Sequence, residues 1–308
     1  MSQLVVIPLT DIRDGGPARL ALDGVARARA LRDDCIAWLS PALRLLLPAM
    51  DAVTRHWLER TGSPYVAEIA SVAAALGFPG VWFLNGTYEW GCTAVAREEE
   101  GVPWLVRTLD WPFPGLGRHL EIARMRGIAG EFFNVTWPGY AGVLTASAPG
   151  RFAAAINQAP LWRRTSKPWL RPYDLAVNAL RTWRVRLCPP DHLLRQVFET
   201  CSDFAEAKHR LETVPIARPA IFSLIGCAPG EQQSDCSRHP TKKRLPTAAP
   251  DARRSGHGRN RFLAQVWRGL SRPCSTRSRA APLRCVPHAR SCARWVMSSC
   301  QGMICPVR

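Results

Sequence analysis

Four residues of this 308-residue chain have types and spacings that together can break an amide: Cys92, Arg107, Asp110 and Asn157. Cys92 follows Glu89-Trp90-Gly91 and opens the alternating stretch Cys92-Thr93-Ala94-Val95-Ala96-Arg97. A thiolate is a strong nucleophile, but it needs a base or a lowered pKa. Cutting the Gly91–Cys92 peptide bond would supply the base. The new α-amine has an ordinary pKa of about 7.7–8.0, suited to proton transfer near neutrality, and it shares a residue with the thiol. Gly91 leaves the sulfur room to reach the preceding carbonyl. A lone cysteine is more often a small buried hydrophobe than a nucleophile, so its neighbours must decide.

The first neighbours are in Arg107-Thr108-Leu109-Asp110, on the return strand of a hairpin. Arg107 and Asp110 differ in parity, so an ideal strand points them to opposite faces. Asp110 stands just before Trp111-Pro112, where the pleat should break, and there an ionised carboxylate can hold the Cys92 amine. Arg107 can stabilise a thiolate or bind a substrate oxygen. A surface ion pair at a hairpin end is the plainer account of the two. Asn157 follows the apolar run 152–156 and precedes Gln158-Ala159-Pro160. A side-chain amide at a strand end is a good oxyanion donor, although an isolated asparagine there is more often a turn former.

These residues need elements to position them. Apolar side chains recur at helical intervals through 17–60, interrupted by Pro41 and Pro48. A second helix is expected from Pro64 to Leu76, with Ser63 as N-cap and Gly77 closing the end. Strands are expected at 81–84, 92–97, 104–109, 120–125, 131–136, 141–146 and 151–156, each bounded by Gly or Pro. Helices return at 173–185, 191–200 and 203–211, the last opened by a capping box of Asp203 and Glu206, and residues 220–225 read as a buried strand. Helices, then antiparallel strands, then helices and a strand favour an α+β domain with a layered sheet core.

In their order, the motifs resemble one family. They are Asn85-Gly86, Gly91-Cys92-Thr93, Arg107-Thr108-Leu109-Asp110-Trp111, Gly139-Tyr140-Ala141-Gly142-Val143-Leu144-Thr145, and Pro149-Gly150-Arg151-Phe152 leading to Ile156-Asn157. Later come Phe204-Ala205-Glu206-Ala207-Lys208 and the strand running from Pro219 to Gly226. Over roughly residues 60–231 the chain resembles the cysteine N-terminal-nucleophile hydrolases of linear amides, the group of acid ceramidase, N-acylethanolamine acid amidase and the choloylglycine hydrolases. The ceramidase-like branch fits best, because Cys92 is internal.

The resemblance implies a four-layer αββα sandwich and autocleavage at Gly91–Cys92. It implies a helical pro-segment or α-chain over 1–91 and a catalytic β-chain over 92–231, which stay associated after cleavage. It implies Cys92 as nucleophile, Arg107 and Asp110 as its partners, and Asn157 as an oxyanion or substrate-amide contact. The implied substrate is a small N-acyl amide with an apolar acyl chain; no cofactor and no metal are implied. Trp82, Trp90, Trp104, Trp111 and Phe113 are candidates to line an apolar pocket, and core packing explains them equally well. Some ceramidase-type members carry a glutamate after the asparagine, where this chain has Gln158, which removes any role there that needs a charge.

The resemblance stops near residue 231. The family's later strands, with a further oxyanion asparagine and an arginine, have no counterpart; Asn260 is the tail's sole asparagine and matches nothing. Residues 232–308 hold 16 of the 41 Lys and Arg but 2 of the 24 Asp and Glu, which leaves 25 basic and 22 acidic side chains in the first 231. The net charge of +17 therefore belongs almost wholly to the tail. The tail also holds six of the 11 cysteines, none in a CxxC pair, so zinc-finger spacing is absent. Lacking helical or strand periodicity, it reads as a disordered basic extension.

Its Arg, Pro, Ser, Ala and Cys enrichment is what a GC-rich gene yields when translated out of frame, and on that reading the sandwich is incomplete at its C-terminus. Translating the other two frames tests this: finding an asparagine-bearing strand in neither refutes it. A nucleic-acid-binding role would need a defined module or interleaved aromatics, and the tail has neither. An inactive homologue of the same fold is the remaining alternative. No apolar run is long enough to cross a bilayer, and the first eight residues lack the pattern of a secretory signal, so the cytoplasm is the expected compartment.

Overall fold

The computed structural model describes residues 7–37, 39–86, 91–99, 101–110, 116–159, 161–164, 167–237, 296–298 and 302–306. The chain divides into two compact units, Met1–His239 with Ser291–Arg308, and Pro240–Arg290, the second of which lies outside the described residues. Strand β1 (Leu9–Asp11) leads into helices α1 (Gly16–Asp23), α2 (Val25–Ile36), α3 (Pro41–Arg44), α4 (Leu47–Leu58), α5 (Val66–Leu76) and α6 (Val81–Gly86). Strands β2 (Gly91–Glu99), β3 (Val102–Asp110), β4 (Glu121–Gly127), β5 (Gly130–Thr136), β6 (Thr145–Ala148) and β7 (Phe152–Gln158) follow. Helices α7 (Arg171–Trp183), α8 (Pro190–Thr200) and α9 (Phe204–Thr213) precede strands β8 (Ala220–Gly226), β9 (Gln232–Ser237), β10 (Val296–Ser298) and β11 (Gly302–Pro306).

The strands form two sheets. The larger has the order β1-β4-β5-β6-β7-β8-β9, antiparallel throughout except where β1 runs parallel to β4. The smaller has the order β10-β11-β3-β2. Strand β7 shows why the sheets stack. Every residue of it but Gln158 is buried, so its two faces serve two layers. Phe152, Ala154 and Ile156 join the main core, where Phe198 of α8 packs against Phe132 and Phe152 with ring centroids 5.5 and 4.9 Å apart. Ala153 and Ala155 face the other way and meet Leu105, Ala94 and Ala96 of the second sheet. Small side chains at those two positions let the sheets approach closely. Among the described residues the stack runs helix, sheet, sheet, and positions Thr93, Val95 and Arg97 of β2 are exposed. The protein is α+β, as the order of its elements indicated.

Several elements differ from expectation for identifiable reasons. Residues 81–84 are helical within α6. Asp51 of α4 accepts backbone hydrogen bonds from Gly80 (2.6 Å) and Phe83 (2.8 Å), so a carboxylate from another helix caps α6, and the sequence around it carries no sign of this. A short apolar run is ambiguous between strand and buried helix without such context. Helix α5 begins at Val66 rather than at Pro64, because the Ser63 hydroxyl contacts His192 Nδ1 (2.8 Å) and accepts from the Tyr65 N–H. Its end is as expected: Gly77 takes φ +64°, and its N–H bonds to the Ala73 carbonyl. Asp203 caps α9 as expected, accepting from Glu206 N–H, while Glu206 reaches one residue past the N-cap and accepts from Ser202 N–H, both at 2.8 Å.

The segment read as an unstructured tail contains three strands. Strand β8 would otherwise present an open edge of N–H and C=O groups, and β9 pairs it from Ile225↔Gln232 to Ala220↔Ser237. Gly230, at φ +81°, makes the turn between them. In the second sheet β11 pairs β3 from Thr108↔Gly302 to Trp104↔Pro306. Backbone pairing needs no amphipathic pattern when an edge is already there to be covered, so periodicity gave no sign of these strands. Among the described residues no helix is long and apolar enough to cross a membrane.

Candidate active site

Cys92 lies at the start of β2, the edge strand of the smaller sheet. In the hairpin Cys92 stands opposite Leu109 and Ala94 opposite Arg107, so Cys92 and Arg107 share the face turned toward the larger sheet. Gly101, at φ +72°, closes the hairpin and fixes that register. Cys92 is half-buried and packs against the main core.

Arg107 is 6% exposed and reaches from the smaller sheet into the larger. Nη2 lies 3.2 Å from Cys92 Sγ and donates to the Ile156 carbonyl at 2.8 Å. Nη1 donates to Thr145 Oγ1 in a short bond. Three elements, β2, β6 and β7, thus hold one guanidinium against one sulfur. The buried Nε has no hydrogen-bond partner among the described residues. Desolvating a guanidinium this way is costly, and it places a buried cation directly beside a potential sulfur nucleophile.

In the sequence Thr145 stands out only as the last residue of the Gly139–Thr145 motif, inside the expected strand 141–146. Its signal in the sequence is a polar residue in an apolar context, since it is the first residue of β6 and buried with all its strand neighbours. Asn157 lies on the same face of β7 as Ala153 and Ala155 and is 9% exposed. With its amide oriented to satisfy both ends, the oxygen accepts from Ala94 N–H at 3.3 Å and the nitrogen donates to the Ile156 carbonyl at 3.2 Å. Asn157 and Arg107 therefore converge on the Ile156 carbonyl, and Asn157 touches the strand that carries Cys92. Asp110 is the last residue of β3 and pairs with Gly91, beside the Gly91–Cys92 bond; its side chain lies outside the described residues, as do Trp90, Trp111 and Phe113. Trp82 sits in a separate cluster with Trp57, Leu58 and Tyr65, away from this site.

The stretch leading to Thr145 is held by side chains, and only its last residue is in a strand. Asn85 of α6 donates to the Gly139 carbonyl (2.8 Å) and accepts from Ala141 N–H (2.8 Å). Asn134 donates to the Gly142 carbonyl (3.1 Å), and Arg195 to the Ala141 carbonyl (2.8 Å). These bonds satisfy a buried backbone that no ladder covers. A Cβ on Gly142 would stand 2.4 Å from Asp191 Oδ2, so a larger residue there must displace the buried Asp191 side chain. Arg195 also pairs with Glu68 of α5 and, at 2.8 Å, with Glu199, which ties the N-terminal helices to α8. Among the described residues no three His, Cys, Asp or Glu side chains gather where they could hold a metal ion.

No family profile and no curated protein matches the chain. Among solved structures it is similar to an N-acylethanolamine-hydrolyzing acid amidase ortholog from Caenorhabditis elegans, with a TM-score of 0.38 and 17% identity over 48% of this chain and 59% of that one. The chain thus spans less than two thirds of that protein's length. A likeness this partial says nothing about the chemistry at Cys92.

Proposed function

We propose that the chain is a cysteine amidase of the N-terminal-nucleophile type, matured by cleavage of the Gly91–Cys92 bond and acting on a linear N-acyl amide. The observation that carries the reading is the Arg107 guanidinium 3.2 Å from Cys92 Sγ, anchored by Thr145 and Ile156. In maturation the sulfur attacks the Gly91 carbonyl carbon, the C–N bond breaks, and the freed nitrogen takes the thiol proton. Water then hydrolyses the Gly91 thioester and restores the thiol. In turnover the new α-amine accepts the thiol proton, the sulfur adds to the substrate carbonyl, and the departing amine carries the proton away. Water releases the acid from the thioester.

Arg107 stabilises the sulfur anion through charge. One N–H of the Asn157 amide is engaged by the Ile156 carbonyl, and the other is directed to the developing oxyanion, a contact whose loss typically costs about 10²–10³ in rate. Asp110, opposite Gly91 at the end of β3, holds the amine. The segments 1–91 and 92–308 stay associated, and the pairing of Glu68 with Arg195 supports that.

Intact-mass measurement on purified folded protein tests the reading. A fragment beginning at Cys92 in the parent and its absence from Cys92→Ala are expected. Uncleaved parent chain that also fails to hydrolyse N-acyl amides would leave an inactive relative.

A further inference from the structure

We infer that the N-terminal helices hold a binding site for an uncharged, apolar small molecule, separate from the Cys92 site. A cavity of about 250 Å³ lies between α2, α4 and α6, with Leu31, Cys35, Leu47, Met50, Val81 and Leu84 among its walls and Pro138 and Gly139 closing one side. None of Cys92, Arg107, Thr145 or Asn157 lines it, so the inference stands whether or not Cys92 is a nucleophile. The hollow is partly open, so a small molecule can enter it, and its walls are almost wholly apolar, the usual character of a small-molecule pocket.

The lining decides what the occupant is. Water needs two to four polar partners to reside in a cavity, and the polar groups here are already engaged. The Gly139 carbonyl accepts from Asn85, and the Gly80 carbonyl from Leu84 N–H. The Arg32 guanidinium pairs with Asp33 at 2.7 Å and lies 4.6 Å from the centroid of the Phe78 ring. The Cys35 thiol, in the wall, is pushed up to about 11 by burial and stays neutral. An enclosed apolar cavity of about 150 Å³ takes up benzene, and this pocket of about 250 Å³ has room for a group of that size. Its ligand is therefore an aliphatic or small aromatic hydrocarbon group that carries no charge, since Arg32, the cation in its wall, is already paired with Asp33 and the rest of the wall is almost wholly apolar.

Cys35 reports occupancy directly. Full-length protein would be alkylated with N-ethylmaleimide at mildly alkaline pH, with the modified Cys35 peptide followed by mass spectrometry, in the presence of toluene or of benzoate, its charged counterpart. At about ten times its dissociation constant toluene should slow Cys35 alkylation roughly tenfold and raise Tm, because unoccupied molecules alone react and the folded state alone binds. Benzoate should do neither. Ala28→Leu, which fills part of the wall, should weaken the toluene effect. Unchanged Cys35 alkylation and Tm at toluene saturation, or equal protection by benzoate, overturns the inference. The parent protein alone decides this if the filled variant does not fold. A mass-spectrometric test for a chain start at position 92, run on the same sample, reports separately on the Cys92 reading.

Discussion

Replacing Thr145 with valine should slow the reaction of Cys92 with an uncharged alkylating reagent while leaving the fold in place. Valine keeps the volume and branching of threonine and deletes one acceptor. In the parent, Arg107 Nη1 donates to that acceptor, and Nη2 is shared between the Ile156 carbonyl at 2.8 Å and Cys92 Sγ at 3.2 Å. Nε is already unpartnered among the described residues. Without the hydroxyl, the guanidinium has lost a second partner and one of its three anchors. A hydrogen bond to a charged group contributes about 1.5–3 kcal/mol. If all of it holds the cation beside the sulfur, alkylation slows roughly 10- to 150-fold, at about 1.4 kcal/mol per decade. The assay is iodoacetamide labelling near neutral pH with the Cys92 peptide quantified by mass spectrometry, alongside thermal unfolding. Thr145→Ser restores the acceptor and should restore the rate. A valine variant with a lowered Tm but parental labelling of Cys92 would refute the reasoning, since the hydroxyl would then serve packing alone.

Three further outcomes follow from neighbouring groups. Gly142→Ala should cost about 1–3 kcal/mol in denaturant unfolding, because its Cβ would lie 2.4 Å from Asp191 Oδ2 and 2.8 Å from the Tyr140 hydroxyl; an unchanged midpoint would mean that the segment is slack. Arg195→Met should destabilise by about 3 kcal/mol, the low end for a broken buried pair, because the Glu68 and Glu199 side chains it abandons remain 26% and 23% exposed to water; chemical denaturation monitored by tryptophan fluorescence measures it. Burial lowers the folded-state pKa of His192 below its ordinary 6.5, so the unfolded chain binds more protons and stability should fall as pH drops beneath about 6.5; His192→Gln should flatten that slope, and an identical slope in the variant would remove His192 as its source.

Much of the fold was legible because its elements carry local signals. The strand at 152–158 opens with the continuous apolar run 152–156, the hairpin has a glycine at its turn, and Asp203 marks a helix start that forms as read. The misreadings share a cause. Helix α6 depends on Asp51, some 30 residues upstream, and the extended segment before Thr145 is held by Asn85, Asn134 and Arg195 from three different elements. Propensity scanned along a window has no access to a cap or an acceptor supplied from elsewhere. Strands β9 and β11 fail for the complementary reason: the partner edge, more than their own pattern, selects them.

The site divides along the same line. Parity in a hairpin is local, and it places Cys92 and Arg107 on one face without further information. The guanidinium could still point to either side of that face, and what fixes it are Thr145 and the Ile156 carbonyl, 38 and 49 residues away. Neither has a signature of chemistry: one is a buried threonine, the other a main-chain oxygen in an apolar strand. Asn157, chosen from the sequence as an oxyanion donor, bonds to the same carbonyl and to the strand of Cys92. The Ile156 carbonyl is thus where the two sheets are tied together beside the sulfur. A substitution that shifts the backbone at Ile156 should therefore disturb Arg107 and Asn157 together, whereas one that alters the Ile156 side chain, which joins the helix-side core on the opposite face, should leave both in place.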